Sequence, residues 1–265
     1  MTKFFISNGL FRSATDNDLP IREGGVFETM RAERMSILLK EFHFERLFSG
    51  LQLMNIHKPA EITSEFLDSI IKELLFKNNH TESARVRLRV FKELDTSASK
   101  ALSYTIESWP LAPMQMNKEG LSIGLYTIAK KQCDLLSNLK ANKREPYIEG
   151  GKFADLNKLD DCIILNNYNR VCDTTIANIF LIKDDTIYTP SLNEGCVAGV
   201  MRRNIIMKLK KSYSIVEKEM PIEDVKEADE IFLSNAIKGI RWVASFEEKL
   251  YTNNLTKEIY RVVFP

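Results

Sequence analysis

Arg170-Val-Cys-Asp-Thr-Thr-Ile-Ala-Asn-Ile-Phe180 begins the stretch on which the fold turns. A polar cluster around Asp173 interrupts two apolar runs, and by pattern it reads as a turn capped by Asp and Asn side chains. Beyond it, residues 178–182 and 186–188 read as short strands. Gly195-Cys-Val-Ala-Gly-Val-Met-Arg-Arg203 then leads into a helical pattern over 200–211. Glycine lets backbone N–H groups approach a ligand closely, and a helix N-terminus favours phosphate. Many loops enter helices this way, so this element alone is a weak signal.

Working outward, strands are expected at 121–127, 162–165 and 230–233, and a helix at 145–157. Upstream, Gly24-Gly-Val-Phe-Glu-Thr-Met30 reads as a turn entering a strand, and Ile37-Leu-Leu39 as a second. Phe44, Leu47, Phe48, Leu51 and Met54 fall at helical spacing, as do Ile62, Phe66, Ile70 and Leu74 after Pro59. Strands at 84–91 and 102–107 follow. Trp109-Pro-Leu-Ala-Pro-Met-Gln-Met116 holds two prolines in a short space and reads as a linker. These elements predict an α+β protein of two domains meeting near 109–119, with residues 1–112 in the smaller and 113–265 in the larger.

The composition is that of a folded globular protein, 44% hydrophobic in 265 residues. Lys and Arg number 37 and Asp and Glu 36, a net charge of +1 that gives no support to a nucleic-acid surface or a membrane patch. An anionic ligand must therefore be held by locally placed groups. The opening residues show no signal-peptide pattern, and no run is long and apolar enough to span a membrane. Cys133, Cys162, Cys172 and Cys196 lack metal-ligand spacing and read as thiols. A cytoplasmic protein is expected.

Ala84-Arg-Val-Arg-Leu-Arg-Val-Phe91 places Arg85, Arg87 and Arg89 on one strand face and Val86, Leu88 and Val90 on the other. The arginines read either as a solvated face or as a wall that binds carboxylates by bidentate contacts. By pattern alone Arg46 is a solvated arginine on a helix, and Lys140 is one lysine among many. His43, His57 and His80 read as ordinary.

Taken in order, these segments resemble the class IV aminotransferase family, the fold-type IV pyridoxal 5′-phosphate (PLP) enzymes. The resemblance runs from Gly25-Val-Phe-Glu-Thr-Met-Arg31 to Ala228-Asp-Glu-Ile-Phe-Leu-Ser-Asn235, and is most specific over Asp173–Arg202, with Ala-Asn-Ile-Phe, Tyr-Thr-Pro and Gly-Val-Met-Arg in order. It implies that the cofactor sits in an interdomain cleft and is carried as a Schiff base on Lys140, twenty residues before Asp160. It implies that Arg46, in His43-Phe-Glu-Arg-Leu47, and the amides of Val200 and Met201 hold the phosphate. Asp173 matches the family's glutamate that faces the ring nitrogen, but is one carbon shorter. Ile176 and Ala177 match the turn that touches the cofactor, and Arg144 falls near the ring hydroxyl. Lys143 replaces a common asparagine.

Asn235 and Ala236 match a substrate-side loop, and Arg85, Arg87 and Arg89 are candidates for substrate carboxylates. The family includes branched-chain and D-amino acid aminotransferases and 4-amino-4-deoxychorismate lyase. The short chain, Met201 in Gly-Val-Met-Arg and Arg144 turn the expectation toward the lyase, with an aminotransferase as the alternative. A PLP-binding protein without catalysis is a third reading. A homodimer acting on a small amino substrate, without metal, is implied.

Overall fold

The computed structural model describes residues 2–13, 25–92, 102–141 and 145–265. The chain divides into two compact units, Met1–Pro113 with Leu139–Lys143, and Met114–Asn138 with Arg144–Pro265. Lys140 therefore packs with the first unit, not with the second as the sequence reading placed it. The reason is backbone pairing: Phe27 N–H donates to the Lys140 carbonyl at 2.9 Å, and Ala141 bridges Val26.

The first unit contains β1 (Phe4–Ser7), β2 (Leu10–Ser13), β3 (Val26–Glu33), β4 (Ser36–Ile37), α1 (Lys40–Leu53), α2 (Ser64–Lys77), β5 (Ser83–Lys92) and β6 (Leu102–Pro110). The strands form one antiparallel sheet in the order β2-β1-β6-β5-β3-β4. Period-two alternation gives β5 an apolar face of Val86, Leu88 and Val90, buried with Met30, Ile106, Phe44, Leu47, Ile71 and Leu74. Thr63 caps α2 by accepting from Phe66 N–H at 3.1 Å.

The second unit contains β7 (Leu121–Lys131), α3 (Glu145–Leu156), β8 (Asp161–Asn166), β9 (Val171–Thr174), β10 (Asn178–Lys183), β11 (Thr186–Pro190), α4 (Val200–Leu209), β12 (Ile215–Lys218), α5 (Ile222–Glu227), β13 (Glu230–Asn235), β14 (Gly239–Phe246), β15 (Lys249–Leu250) and α6 (Asn254–Val263). Its sheet runs β12-β11-β10-β13-β14-β7-β8-β9, with β15 on β14. One core gathers Ile163, Ile179, Leu181, Ile231, Leu233 and Val243. Phe180 and Phe232, paired across β10 and β13, stack at 4.7 Å. β8 is buried along its whole length, which is why its middle, Cys162–Leu165, is a continuous apolar run rather than an alternating one.

Three local readings change. The cluster at Asp173 is strand, because Asp173 pairs with Ile164 of β8, and the turn falls after it. The expected linker loses Trp109 and Pro110, which pair with Arg85 and Ala84 and end β6. The strand expected at 37–39 stops at Ile37, since Leu39 adopts a left-handed backbone (φ 55°) at the start of α1. No helix among the described residues is long and apolar enough to cross a membrane.

Candidate active site

In the first unit, Glu28 lies on the β3 face turned to the helices and is almost fully buried. A carboxylate there must be paired. α1 supplies the partners from one face, three residues apart. Arg46 Nε donates to Oε1 at 2.7 Å and Nη2 to Oε2 at 2.6 Å, and His43 Nδ1 lies 2.6 Å from Oε2. Burial works to raise the Glu28 pKa, but the charges and hydrogen bonds of Arg46 and His43 outweigh it and bring it down to about 2. Burial pushes the His43 pKa down despite the Glu28 charge. His43 is thus a neutral ring that donates from Nδ1, with Nε2 a buried acceptor.

Lys140 Nζ sits 4.8 Å from the centroid of the Phe27 ring, and the Arg87 guanidinium carbon lies 5.4 Å from the same ring. Arg85, Arg87 and Arg89 do share one face of β5. Arg85 lies over Trp109 at 5.2 Å, and Arg89 pairs with Glu107. Arg31, opposite Arg85 on β3, is a fourth arginine that the sequence reading did not single out. It pairs with Glu33 and donates to Ala112 O at 2.7 Å.

In the second unit, Asp173 is buried at 2% exposure. Oδ1 accepts from Asn178 Nδ2 at 2.8 Å. Oδ2 accepts from Tyr147 O–H at 2.8 Å and Val197 N–H at 2.9 Å, with Lys131 Nζ at 3.5 Å. Burial raises the Asp173 pKa, while Lys131, Val197, Tyr147 and Asn178 oppose the rise. Burial, then the Asp173 charge, pushes Tyr147 well above the usual phenol range, so it remains a donor.

The Gly199 position follows from this cluster. A Cβ at Gly199 would stand 1.9 Å from Asn178 Oδ1. Gly199 precedes α4 and no side chain caps that helix, so its first N–H groups, Val200 and Met201 among them, face outward from the helix end. The first turn carries no acidic residue, as an anion site requires.

Ile176 and Ala177 form the turn after Asp173, with Thr174 N–H donating to Ala177 O at 2.9 Å. Asn235 Nδ2 reaches Ile176 O at 3.3 Å, and Ala236 follows it. A small surface hollow is lined by Ile176, Ala177, Asn235, Lys238 and Arg241 among others.

The structure therefore gathers Lys140, Arg46, Arg85, Arg87 and Arg89 in the first unit. It gathers Asp173, Ile176, Ala177, Val200, Met201, Asn235 and Ala236 in the second. Arg144 and Lys143 lie outside the described residues. Glu28, Tyr147, Asn178 and Lys131 were not singled out by sequence, and His43 was read as ordinary. For Asn178 a signal existed in Ala-Asn-Ile-Phe, five residues after Asp173. For the others no short spacing marks the partnership.

In the second unit an uncapped, glycine-led helix without acidic residues in its first turn suits an anionic ligand. The amino-transferase class IV family profile matches residues 25–246, and the chain belongs to that family. It is 27% identical over 224 residues to an aminodeoxychorismate lyase of Vibrio harveyi, covering 82% of this chain and 80% of the relative. It is 24% identical over 274 residues to a branched-chain-amino-acid aminotransferase assignment in Aquifex aeolicus, covering 90% and 82%. The branched-chain aminotransferase structure of Thermoproteus uzoniensis superposes with a TM-score of 0.86 at 19% identity, over 98% of this chain and 93% of that one. The fold is that of the fold-type IV enzymes, and the chain is a PLP-dependent enzyme of class IV.

The residues fit the cofactor. Each oxygen of an ionised carboxylate offers about two acceptor positions. Asp173 Oδ1 accepts from Asn178 alone among the described residues, which leaves room for one ring N–H.

Proposed function

We propose that the chain is a 4-amino-4-deoxychorismate lyase that releases pyruvate and forms 4-aminobenzoate. The observation that carries this reading is the row of arginines on β5, with Arg31 beside it on β3. A substrate with two carboxylates calls for more than one guanidinium, and a planar fork binds each bidentately. The lyase relative of Vibrio harveyi supports it.

In this reading Lys140 carries the cofactor, and Arg46 with the Val200 and Met201 amides binds its phosphate. Asp173 faces its ring nitrogen, while Ile176 and Ala177 line its ring. Arg85, Arg87, Arg89, Asn235 and Ala236 bind the substrate. When bound, PLP supplies an electron sink at the amine-bearing carbon. Lys140, as the amine, takes the proton from that carbon. The bond from the ring to the enolpyruvyl oxygen breaks, the ring becomes aromatic, and the proton passes to the departing enolpyruvyl methylene to give pyruvate. Asp173, held by Tyr147, Asn178 and Val197 and paired with Lys131, stays in place to favour the protonated ring nitrogen.

The test is incubation with 4-amino-4-deoxychorismate and no keto acid. Equimolar pyruvate and 4-aminobenzoate support the lyase. A second reading, an amino-acid aminotransferase, is favoured by the Aquifex aeolicus relative. It predicts that an amino acid converts bound PLP to its amine form and a keto acid reverses this. A cytoplasmic homodimer is part of the proposal, checked by sedimentation.

A further inference from the structure

We propose that Lys131 is a positioning residue: its buried ammonium, 3.5 Å from Asp173 Oδ2, holds that carboxylate as an anion and occupies its Oδ2 side, so that Oδ1 is the oxygen offered to a ring nitrogen. This rests on the reading of Asp173 as the ring's partner.

Lys131 is the last residue of β7, just past a register shift between Tyr126 and Lys131 in the pairing with β8. Such irregularities re-aim side chains beside functional sites. The backbone is held in place, since Asn167 N–H donates to Lys131 O at 2.9 Å. The side chain is 11% exposed, and Nζ is shielded from solvent without a hydrogen-bond partner. A lysine is seldom buried without a compensating charge. Asp173 is the carboxylate that the fold sets against it. Nζ also lies 5.1 Å from the centroid of the Tyr147 ring, whose O–H donates to the same Oδ2.

The other titratable groups around this carboxylate carry no positive charge. Tyr147 comes from α3, Cys172 from β9, Cys133 from the segment after β7, and Cys196 from the loop before α4. Burial pushes each of them up, Cys196 to about 12, so they stay neutral near pH 7. Lys131 is the cation paired with Asp173 among the described residues. Oδ2 then has Lys131, Tyr147 and Val197 around it, while Oδ1 has Asn178. Shortening the usual glutamate to aspartate withdraws the carboxylate into the strand. In this chain Lys131 meets it there and fixes which oxygen remains available.

The test is carboxyl NMR of the full chain labelled with ¹³C at aspartate Cγ, without and with PLP, the Asp173 signal being assigned by its loss in Asp173→Asn. In Lys131→Met the Asp173 titration midpoint moves up by at least about one pH unit relative to the unsubstituted protein. Lys131→Arg restores the original midpoint. Lys131→Gln, neutral but polar, gives the same answer should the methionine variant not fold. An unchanged midpoint in the neutral variants overturns the proposal. If the midpoint moves but Asp173→Asn binds PLP with unchanged affinity and absorption spectrum, the ion pair stands. The ring-facing part of the proposal then falls, together with the reading it rests on.

Discussion

Arg46 grips Glu28 with two nitrogens, Nε at 2.7 Å from Oε1 and Nη2 at 2.6 Å from Oε2, and so ties α1 to β3 at a buried carboxylate. The same carboxylate accepts from His43 Nδ1, and burial, against the Glu28 charge, keeps that ring neutral. On the proposed reading of Arg46 as the phosphate's arginine, Glu28 orients its guanidinium before any ligand arrives.

This pair sets a pH dependence. Glu28 falls from 4.5 to about 2 on folding, so its stabilisation is complete above about 4.5 and is lost as the pH falls from there through 2. The size is about 3 kcal/mol, from about 1.4 kcal/mol per unit. His43 acts in the same direction. Its folded pKa lies below 6.5, the unfolded chain takes up the proton first, and stability falls as the pH drops below 6.5. Urea titrations of the apoprotein from pH 8 to 3 check this. Glu28→Gln lowers stability at pH 7 by about 3 kcal/mol or more, because it leaves Arg46 without its counter-charge, and it flattens the acid limb. An acid limb of unchanged steepness in that variant would count against the pairing.

Gly199 is required by the approach of Asn178, not by its backbone conformation, which at φ −66° suits any residue. Gly199→Ala is expected to cost about 1–3 kcal/mol through overpacking. It also displaces Asn178 from Asp173 Oδ1. Removing the obstacle tests this: Gly199→Ala with Asn178→Ala costs less than the sum of the two single changes. Thermal or denaturant melts of the four proteins measure the coupling, and strict additivity would contradict it.

The arginine face makes a separable prediction. Arg85→Ala and Arg87→Ala each lower kcat/KM for a dicarboxylate substrate by about 10- to 100-fold, the worth of a lost charged hydrogen bond, mainly through KM. Arg87→Lys does not restore the original value, because an ammonium lacks the planar fork. Arg89→Ala also breaks the pair with Glu107, so it lowers stability as well as raising KM. Steady-state kinetics with melts on the same samples distinguish these outcomes, and an unchanged KM in both alanine variants would remove the face from the substrate site.

Much of this was legible in the residues, for physical reasons that differ by element. Alternation in β5 showed its arginine face because a strand face repeats every two residues. The helical spacing of Phe44, Leu47 and Leu51 showed α1 because those residues form its buried side. The run at Asp173 has the pattern of a turn because Asp and Thr are common turn formers. Besides nearby Asn178, their polar groups are satisfied here by Tyr147, Val197 and Asp161 from other segments, which local pattern does not reveal. Lys131 and Asp173 are separated by 42 positions and meet through the order of strands β7, β8 and β9. Glu28 and His43 meet in the same way, across a sheet–helix interface. Lys140 was distinguished by resemblance alone, and the unit it packs with became visible only through its pairing to β3.

The attachment of the cofactor to Lys140 is the centre of the account, and borohydride reduction of the PLP-loaded protein followed by peptide mapping by mass spectrometry tests it most directly. A phosphopyridoxyl group on the peptide carrying Lys140, and its absence in Lys140→Ala, is the expected result. A label on Lys131 or another lysine, or a label that survives Lys140→Ala, would contradict it.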